Sequence, residues 1–270
     1  LTMANSAVRT ESAPEPGDSY VQSFARGLEV IRSFNAQARQ QTLSEVAAST
    51  GLTRAGARRI LLTLQTLGYV DGDGKYFHLT PRILELGFAY LSSLPIWNLA
   101  EPVMERLADQ VKESCSAAVL DRCDIVYVLR VHTHKIMSLN LGVGSRLPSY
   151  CTSLGRVLLA GLTDAEVENH LRASDLQART RHTLTDPAQL LRQVQLVRTQ
   201  GWCLVDQELE EGLISMAAPV FNRAGVTVAA LNISGQANRS SAEAMQQTML
   251  PALREAAHTI SMLLRSSGSR

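Results

Sequence analysis

Apolar positions in the first third of the chain recur every three or four residues. Phe24, Leu28, Ile31 and Phe34 share one face of a helix predicted over Val21 to Asn35, which ends before the polar run Gln37 to Gln41. Thr42 and Ser44 stand where a cap opens a second helix, Leu43 to Thr50, with Val46 and Ala47 turned inward and Gly51 at its end. A third helix begins at Thr53 or a neighbour, and Ala57, Ile60, Leu61, Leu64 and Leu67 form its apolar stripe. Gly51 follows small Ala47 by four residues and permits a positive φ, which is helix-turn-helix spacing. Past Gly68 the period changes. Tyr69 to Leu79 holds two β-prone runs around Asp71-Gly72 and Asp73-Gly74, a hairpin signal. Three helices and a hairpin predict a winged helix-turn-helix over residues 20–80.

The segment Pro81 to Ser93 is strongly apolar for a connector, with Ile83, Leu84, Leu86, Gly87, Tyr90 and Leu91. Such a helix wets its surface in a monomer, so residues 81–95 are expected to pair two copies; the alternative is packing on the chain's own second domain. From 96 to 270 the pattern mixes helices and strands. Helices are expected at Trp97–Lys112, Ser153–Leu162, Asp164–Ala173, Pro187–Gln200 and Ala242–Arg265. Strands are expected at Ser116–Leu120, Ile125–Val131, Ile136–Leu141, Trp202–Val205, Ser215–Phe221 and Val226–Ser234. Paired strands flanked by helices predict an antiparallel sheet with helices packed on it, an α+β domain.

Composition sharpens this picture. The chain has 270 residues, 45% hydrophobic and 19% charged, which fits two folded domains. Its richest apolar runs, Ile214 to Phe221 and Val226 to Ile233, are strand-sized, so a membrane span is excluded. Residues 1–19 mix Ala, Ser, Pro and Glu without a basic-then-apolar leader and read as a disordered tail. The cysteines Cys115, Cys123, Cys151 and Cys203 read as reduced thiols of a cytoplasmic protein, with Cys151 the candidate for redox sensitivity. The formal charge is only +1, yet Tyr20 to Arg82 holds eight basic and four acidic residues, which suits a polyanion partner.

That partner is expected to be double-stranded DNA. Arg54, Arg58 and Arg59 lie off the apolar stripe near the start of the third helix, where a recognition helix meets bases and phosphates. Ser44, Thr53 and the wing's Lys75 join them, with Gln22 and Arg26 as weaker phosphate contacts. Catalytic motifs are missing: there is no HExxH, P-loop or GxSxG, and Gly142-Val143-Gly144 lacks the rest of a dinucleotide fingerprint. His132 and His134 would face one way, but no third ligand accompanies them, so surface histidines are expected, with no metal and no cofactor. An enzyme tethered to a DNA-binding unit and a nucleoid-type scaffold are the competing classes.

Several ordered motifs then carry a resemblance. These are Gly144-Ser145-Arg146-Leu147-Pro148-Ser149-Tyr150-Cys151-Thr152-Ser153-Leu154-Gly155-Arg156, Gly201-Trp202, Asp206-Gln207-Glu208-Leu209-Glu210-Glu211-Gly212-Leu213, Ala217-Ala218-Pro219-Val220-Phe221 and Leu231-Asn232-Ile233-Ser234-Gly235. The chain resembles the IclR family of bacterial transcription regulators from about Tyr20 to Leu264. The Arg-Leu-Pro-Ser-Tyr-Cys-Thr-Ser stretch looks most like regulators of protocatechuate, 4-hydroxybenzoate and β-ketoadipate catabolism.

The resemblance implies a winged helix-turn-helix, a dimerising linker helix and a GAF-like effector domain (residues 96–270), assembled as a homodimer or a dimer of dimers. It implies an effector cup that includes Tyr150, Thr152, Ser153, Leu154, Gly155, Asp206, Ser215, Asn232 and Ser234, with Asn232 standing where family members often carry Ser. The residues agree in outline. A helix start at Thr152 and Ser153 offers hydroxyls and amides to a carboxylate or simply caps the helix, Gly155 allows close approach, and Arg146 adds a bidentate grip if it points inward or else forms a surface or interface salt bridge. Asp206 suits a ligand hydroxyl. The expected effector is an aromatic acid, the alternative a small aliphatic carboxylate such as β-ketoadipate, pyruvate or glyoxylate.

Overall fold

The computed structural model describes residues 17, 19–93, 96–132 and 141–267. The chain divides into two units, one of Ser12–Leu94 and one that includes Pro95–Arg270.

The first unit holds α1 (Gln22–Ser33), β1 (Gln41–Thr42), α2 (Leu43–Thr50), α3 (Arg54–Thr66), β2 (Val70–Gly72), β3 (Tyr76–Leu79), a 3-10 turn at Pro81–Ile83, and α4 (Leu84–Ser92). Its core is Val30, Phe34, Val46, Ala47, Ala57, Leu61, Leu64, Val70 and Phe77. Of the expected α1 stripe, Phe34 is buried and Ile31 packs against this core; Val30, which the stripe omits, is buried with them, whereas Phe24 is 69% exposed. Thr42, not Ser44, caps α2, and Glu45 closes a reciprocal capping box with it. Gly51 ends α2 at φ 65°, with Leu52 N donating to the Ala47 carbonyl. The wing hairpin forms as expected, and β1 adds a short third strand against β3 that the period-two pattern is too brief to signal.

The second unit holds α5 (Ile96–Val111), β4 (Ser114–Asp121), β5 (Asp124–Val131), β6 (Arg146–Pro148), α6 (Ser153–Ala160), α7 (Asp164–Ala173), α8 (Pro187–Gln200), β7 (Cys203–Asp206), β8 (Leu213–Phe221), β9 (Thr227–Gln236) and α9 (Ala242–Ser267). Six strands make one antiparallel sheet in the order β6-β5-β4-β9-β8-β7. Side-chain alternation gives each strand two faces. In β4, Cys115 turns to α5, where its thiol meets the Met104 carbonyl, and Ser116 turns the other way. α5 and α9 cover the first face; α6 covers the second, with α8 behind it. Ala118, Ala217 and Ala230 of the sheet pack there with Leu154, Val157 and Leu158 of α6.

Most of Ile136–Leu141 lies outside the described residues, and Leu141 itself belongs to no strand. β6, an edge strand of three residues ending in Pro148, forms where the pattern predicts none; proline at the end of an edge strand removes no ladder bond. The Ala242 helix runs on to Ser267, as the Leu253, Ala257 and Ile260 stripe implies.

Candidate functional site

In the first unit the Thr53 hydroxyl accepts from Gly56 N at 3.1 Å and fixes where α3 begins. That start directs Ala57, Leu61 and Leu64 inward and leaves Arg54, Arg58 and Arg59 exposed along the opposite face. Gln22, Arg26, Ser44, Thr53 and Lys75 are exposed too. At the wing the Asp73 carboxylate accepts from the amides of Lys75 and Tyr76, which hold it below the usual carboxylate range and close the turn that carries Lys75. The Lys75 ammonium lies 5.1 Å from the Tyr76 ring centroid. Three arginines exposed on one helix and a lysine exposed on the wing of the same unit have the charge that suits a phosphate backbone.

The second unit contains a pocket between the sheet and the first turn of α6. Strand register gathers Arg130, Ser215, Asn232 and Ser234 of its lining around Ser114 and Ser116, which pair with them but do not line it. Ser116 is opposite Arg130 on one side and Asn232 on the other, while Ser234 is opposite both Ser114 and Ser215. Two neighbouring rungs on one face are therefore polar, and Ser114, Ser116, Ser215 and Asn232 are all buried. Buried polar groups cost free energy unless bonded. Asn232 Oδ1 accepts from Ser116 N at 3.1 Å and its Nδ2 donates to Ser234 Oγ at 3.1 Å. Ser153 Oγ and Ser215 Oγ lie 2.9 Å apart, joining α6 to β8. The apolar walls are Tyr127, Leu141, Leu154, Leu209 and Leu213.

Among the described residues, Arg130 is the one charged side chain lining this pocket. Its guanidinium carbon lies 5.8 Å from the Tyr127 ring centroid, and burial lowers its affinity for the proton. Tyr127 is pushed up to about 12 by burial and stays a neutral phenol. Arg130 Nε donates to His132 Nδ1 at 3.4 Å, and a partly desolvated guanidinium that shares a pocket lining with hydroxyls and apolar side chains suits a small anion with an apolar body.

Six residues expected at the effector site line it: Thr152, Ser153, Leu154, Ser215, Asn232 and Ser234. Thr152 serves first as the α6 cap, accepting from Gly155 N and donating to the Pro148 carbonyl. The other four lie elsewhere. Arg146 sits on the edge strand β6 and binds Asp121 at 2.6 Å and Asp124 at 3.1 Å at the surface. Tyr150 packs in a separate core with Val167 and Leu190, its hydroxyl on the Gln177 carbonyl. Gly155 has its close approach to the chain itself: a Cβ there would stand 2.1 Å from the Ser149 carbonyl oxygen. Asp206 is exposed, on the face of β7 opposite buried Val205.

Sequence reasoning missed Tyr127, Arg130, Leu141, Leu209 and Leu213. The one signal for Arg130 was an arginine inside an otherwise apolar run, Ile125 to Val131. Cys151 is buried and burial pushes its thiol up to about 11, so it is protonated and unreactive rather than redox-poised. His132 is exposed, and His134 lies outside the described residues. Among the described residues no cluster of His, Cys, Asp and Glu is arranged to hold a metal, and no single helix is long and apolar enough to cross a membrane.

A winged helix-turn-helix joined to a pocket-bearing, GAF-like domain defines a ligand-responsive DNA-binding regulator. Residues 23–74 match the IclR helix-turn-helix domain and residues 88–262 the bacterial transcriptional regulator IclR C-terminal domain, so the chain belongs to the IclR family of transcriptional regulators. It is 44% identical to the Pca regulon regulatory protein of Pseudomonas putida, across 87% of this chain and 81% of that one. It is 35% identical to the p-hydroxybenzoate hydroxylase transcriptional activator of Acinetobacter baylyi, across 92% and 93%. Among solved structures it resembles an IclR homologue of Microbacterium hydrocarbonoxydans complexed with 4-hydroxybenzoate, with 27% identity, TM-score 0.80 and coverage of 90% and 99%.

Proposed function

We propose that this regulator senses a small aromatic carboxylate of the 4-hydroxybenzoate or protocatechuate type and controls the genes for its breakdown. The observation that carries the reading is Arg130, the one charged group among the described residues lining a pocket whose floor is otherwise buried hydroxyls and an amide. The carboxylate pairs with the guanidinium, the ring lies among Tyr127, Leu154, Leu209 and Leu213, and ring hydroxyls meet the serines. The names of the Acinetobacter relative and the Microbacterium complex support the same chemistry.

The cavity volume is about 20 Å³, room for little more than one water, so seating a ring parts its walls. That coupling lets occupancy favour one arrangement of the protein over another, and operator affinity changes by the ligand's differential affinity for the two. Arg54, Arg58, Arg59 and Lys75 contact operator DNA, with Gln22, Arg26, Ser44 and Thr53 on flanking phosphates. Pairing runs through α4, which buries none of its residues and leaves Leu84 and Phe88 70% and 68% exposed. A cytoplasmic homodimer or dimer of dimers, without catalytic activity, completes the reading.

The test is calorimetric titration of the full chain with 4-hydroxybenzoate, protocatechuate, benzoate, β-ketoadipate and pyruvate. Micromolar binding of a hydroxybenzoate, lost in Arg130→Gln, supports the proposal. Preference for an aliphatic acid, or affinity unchanged by Arg130→Gln, overturns the effector class or its anchor respectively.

A further inference from the structure

Arg156 lies in the first turn of α6 and is buried together with Glu208, their side chains 3% and 9% exposed. Two parallel bonds join them, Nη1 to Oε1 at 2.7 Å and Nη2 to Oε2 at 2.6 Å. Arg156 Nε donates to the Tyr150 carbonyl at 2.9 Å, so the guanidinium also grips the segment leading into α6. The second Glu208 oxygen accepts from Leu184 N at 3.0 Å, and the Glu208 carbonyl accepts from the Thr183 hydroxyl at 2.6 Å. One ion pair therefore ties together three segments: the start of α6, the loop between β7 and β8, and the loop ahead of α8.

The first two of these segments both contribute to the lining of the effector pocket. Ser153 and Leu154 come from α6; Leu209, next to Glu208, comes from the loop, and Leu213 opens β8 at its end. The loop is closed on itself, with Gln207 N donating to the Leu213 carbonyl at 2.8 Å and Gly212 N to Gln207 Oε1 at 2.9 Å. The Thr180 hydroxyl also donates to the Gln207 carbonyl at 2.7 Å, so the segment ahead of α8 braces this closed loop while Arg156 ties it to α6. Stability does not account for the pair, because exchanging a buried ion pair for well-packed neutral groups is often neutral or stabilising. What it does supply is a single geometry, since a bidentate guanidinium–carboxylate pair fixes distance and orientation at once.

We infer that Arg156 and Glu208 are positioning residues of the effector pocket, holding the Leu209 wall at a set distance from the first turn of α6. The inference rests on the aromatic-acid reading of that pocket. They touch no ligand; they act through Leu209, Ser153 and Leu154.

The test uses the full-length protein with 4-hydroxybenzoate as probe. In R156M/E208Q no charge is left buried alone, and the amide oxygen introduced by E208Q still accepts from Leu184 N. The expected result is a melting temperature close to that of the parent protein with 4-hydroxybenzoate affinity at least tenfold weaker. A folded double variant that binds within twofold of the parent overturns the inference. On the unaltered protein, saturating 4-hydroxybenzoate is expected to slow hydrogen exchange at the amides of Leu184 and Leu209, and unchanged exchange at both overturns it independently of any variant. Absence of aromatic-acid binding to the parent protein would instead remove the effector reading on which the inference stands.

Discussion

Ser149 Oγ lies 2.7 Å from His170 Nε2, a spacing that in an open cleft would suggest a nucleophile and its base. Here the hydroxyl also sits 2.8 Å from the Cys123 carbonyl, to which it donates its only proton, so His170 must donate from Nε2. Both side chains are buried, 0% and 4% exposed. The arrangement is a staple. It joins the segment before α6 to α7 and to the turn between β4 and β5.

That staple predicts an acid sensitivity. Burial lowers the His170 pKa below its ordinary 6.5, more than the nearby Asp124 charge restores it. Between the lowered native value and 6.5 the unfolded chain binds more protons than the folded one, so stability falls as pH drops through that window. Thermal melts from about pH 7.5 to about pH 5.5 should show this decline, with a shallower slope in His170→Gln. Equal slopes in the two proteins would remove His170 as its source.

Two arginines separate pocket from surface. With Arg130 as the proposed anchor, Arg130→Gln should cost the effector one charge-assisted bond, about 1.5–3 kcal/mol, or roughly 10- to 150-fold in affinity. Arg146→Ala removes two ion pairs at the surface, where such pairs contribute about 0–1 kcal/mol each, and it should leave effector affinity within twofold. Parallel titrations of both variants decide the assignment. Loss of binding in Arg146→Ala would return that residue to the site.

The contrast shows what a sequence carries and what it withholds. The first unit was legible because each signal is local: Thr53 caps, Gly51 turns and Asp73 closes the wing within a few residues. Ser153, Ser215, Asn232 and Ser234 came through family motifs, and the structure brings them together. Arg130 could not be placed that way. Its role depends on Ser116 lying opposite it and Asn232 lying opposite Ser116, and Ser116 and Asn232 are more than a hundred residues apart in the chain. Asp206 was the avoidable miss, since alternation with buried Cys203 and Val205 already turned it to the other face of β7.

Gly155 offers a packing test. A methyl group there would stand 2.1 Å from the Ser149 carbonyl oxygen and 2.3 Å from its Cα, both backbone atoms that have little freedom to yield. Gly155→Ala should therefore destabilise the protein by about 3 kcal/mol, the upper end of ordinary overpacking, despite alanine's better helix propensity. Urea unfolding of the effector domain's transition measures it. A loss below about 1 kcal/mol would mean that α6 can lift from Ser149 freely, and the Thr152 and Ser153 end of the pocket would lose its fixed wall.

The DNA surface makes its own prediction through salt. Arg58 is exposed on α3, one residue past buried Ala57, and the Thr53 cap fixes the register that keeps it there. If its guanidinium neutralises one phosphate in each protomer's half-site, Arg58→Ala should reduce the slope of log affinity against log salt by about 0.9 per half-site. An arginine reading a base edge behaves differently: its loss costs about 1–3 kcal/mol at one operator position and relaxes sequence preference there. Measuring operator binding at several salt concentrations, on matched and single-base-altered sites, separates the two roles. A slope and a sequence preference both unchanged from the parent protein would take Arg58 off the DNA.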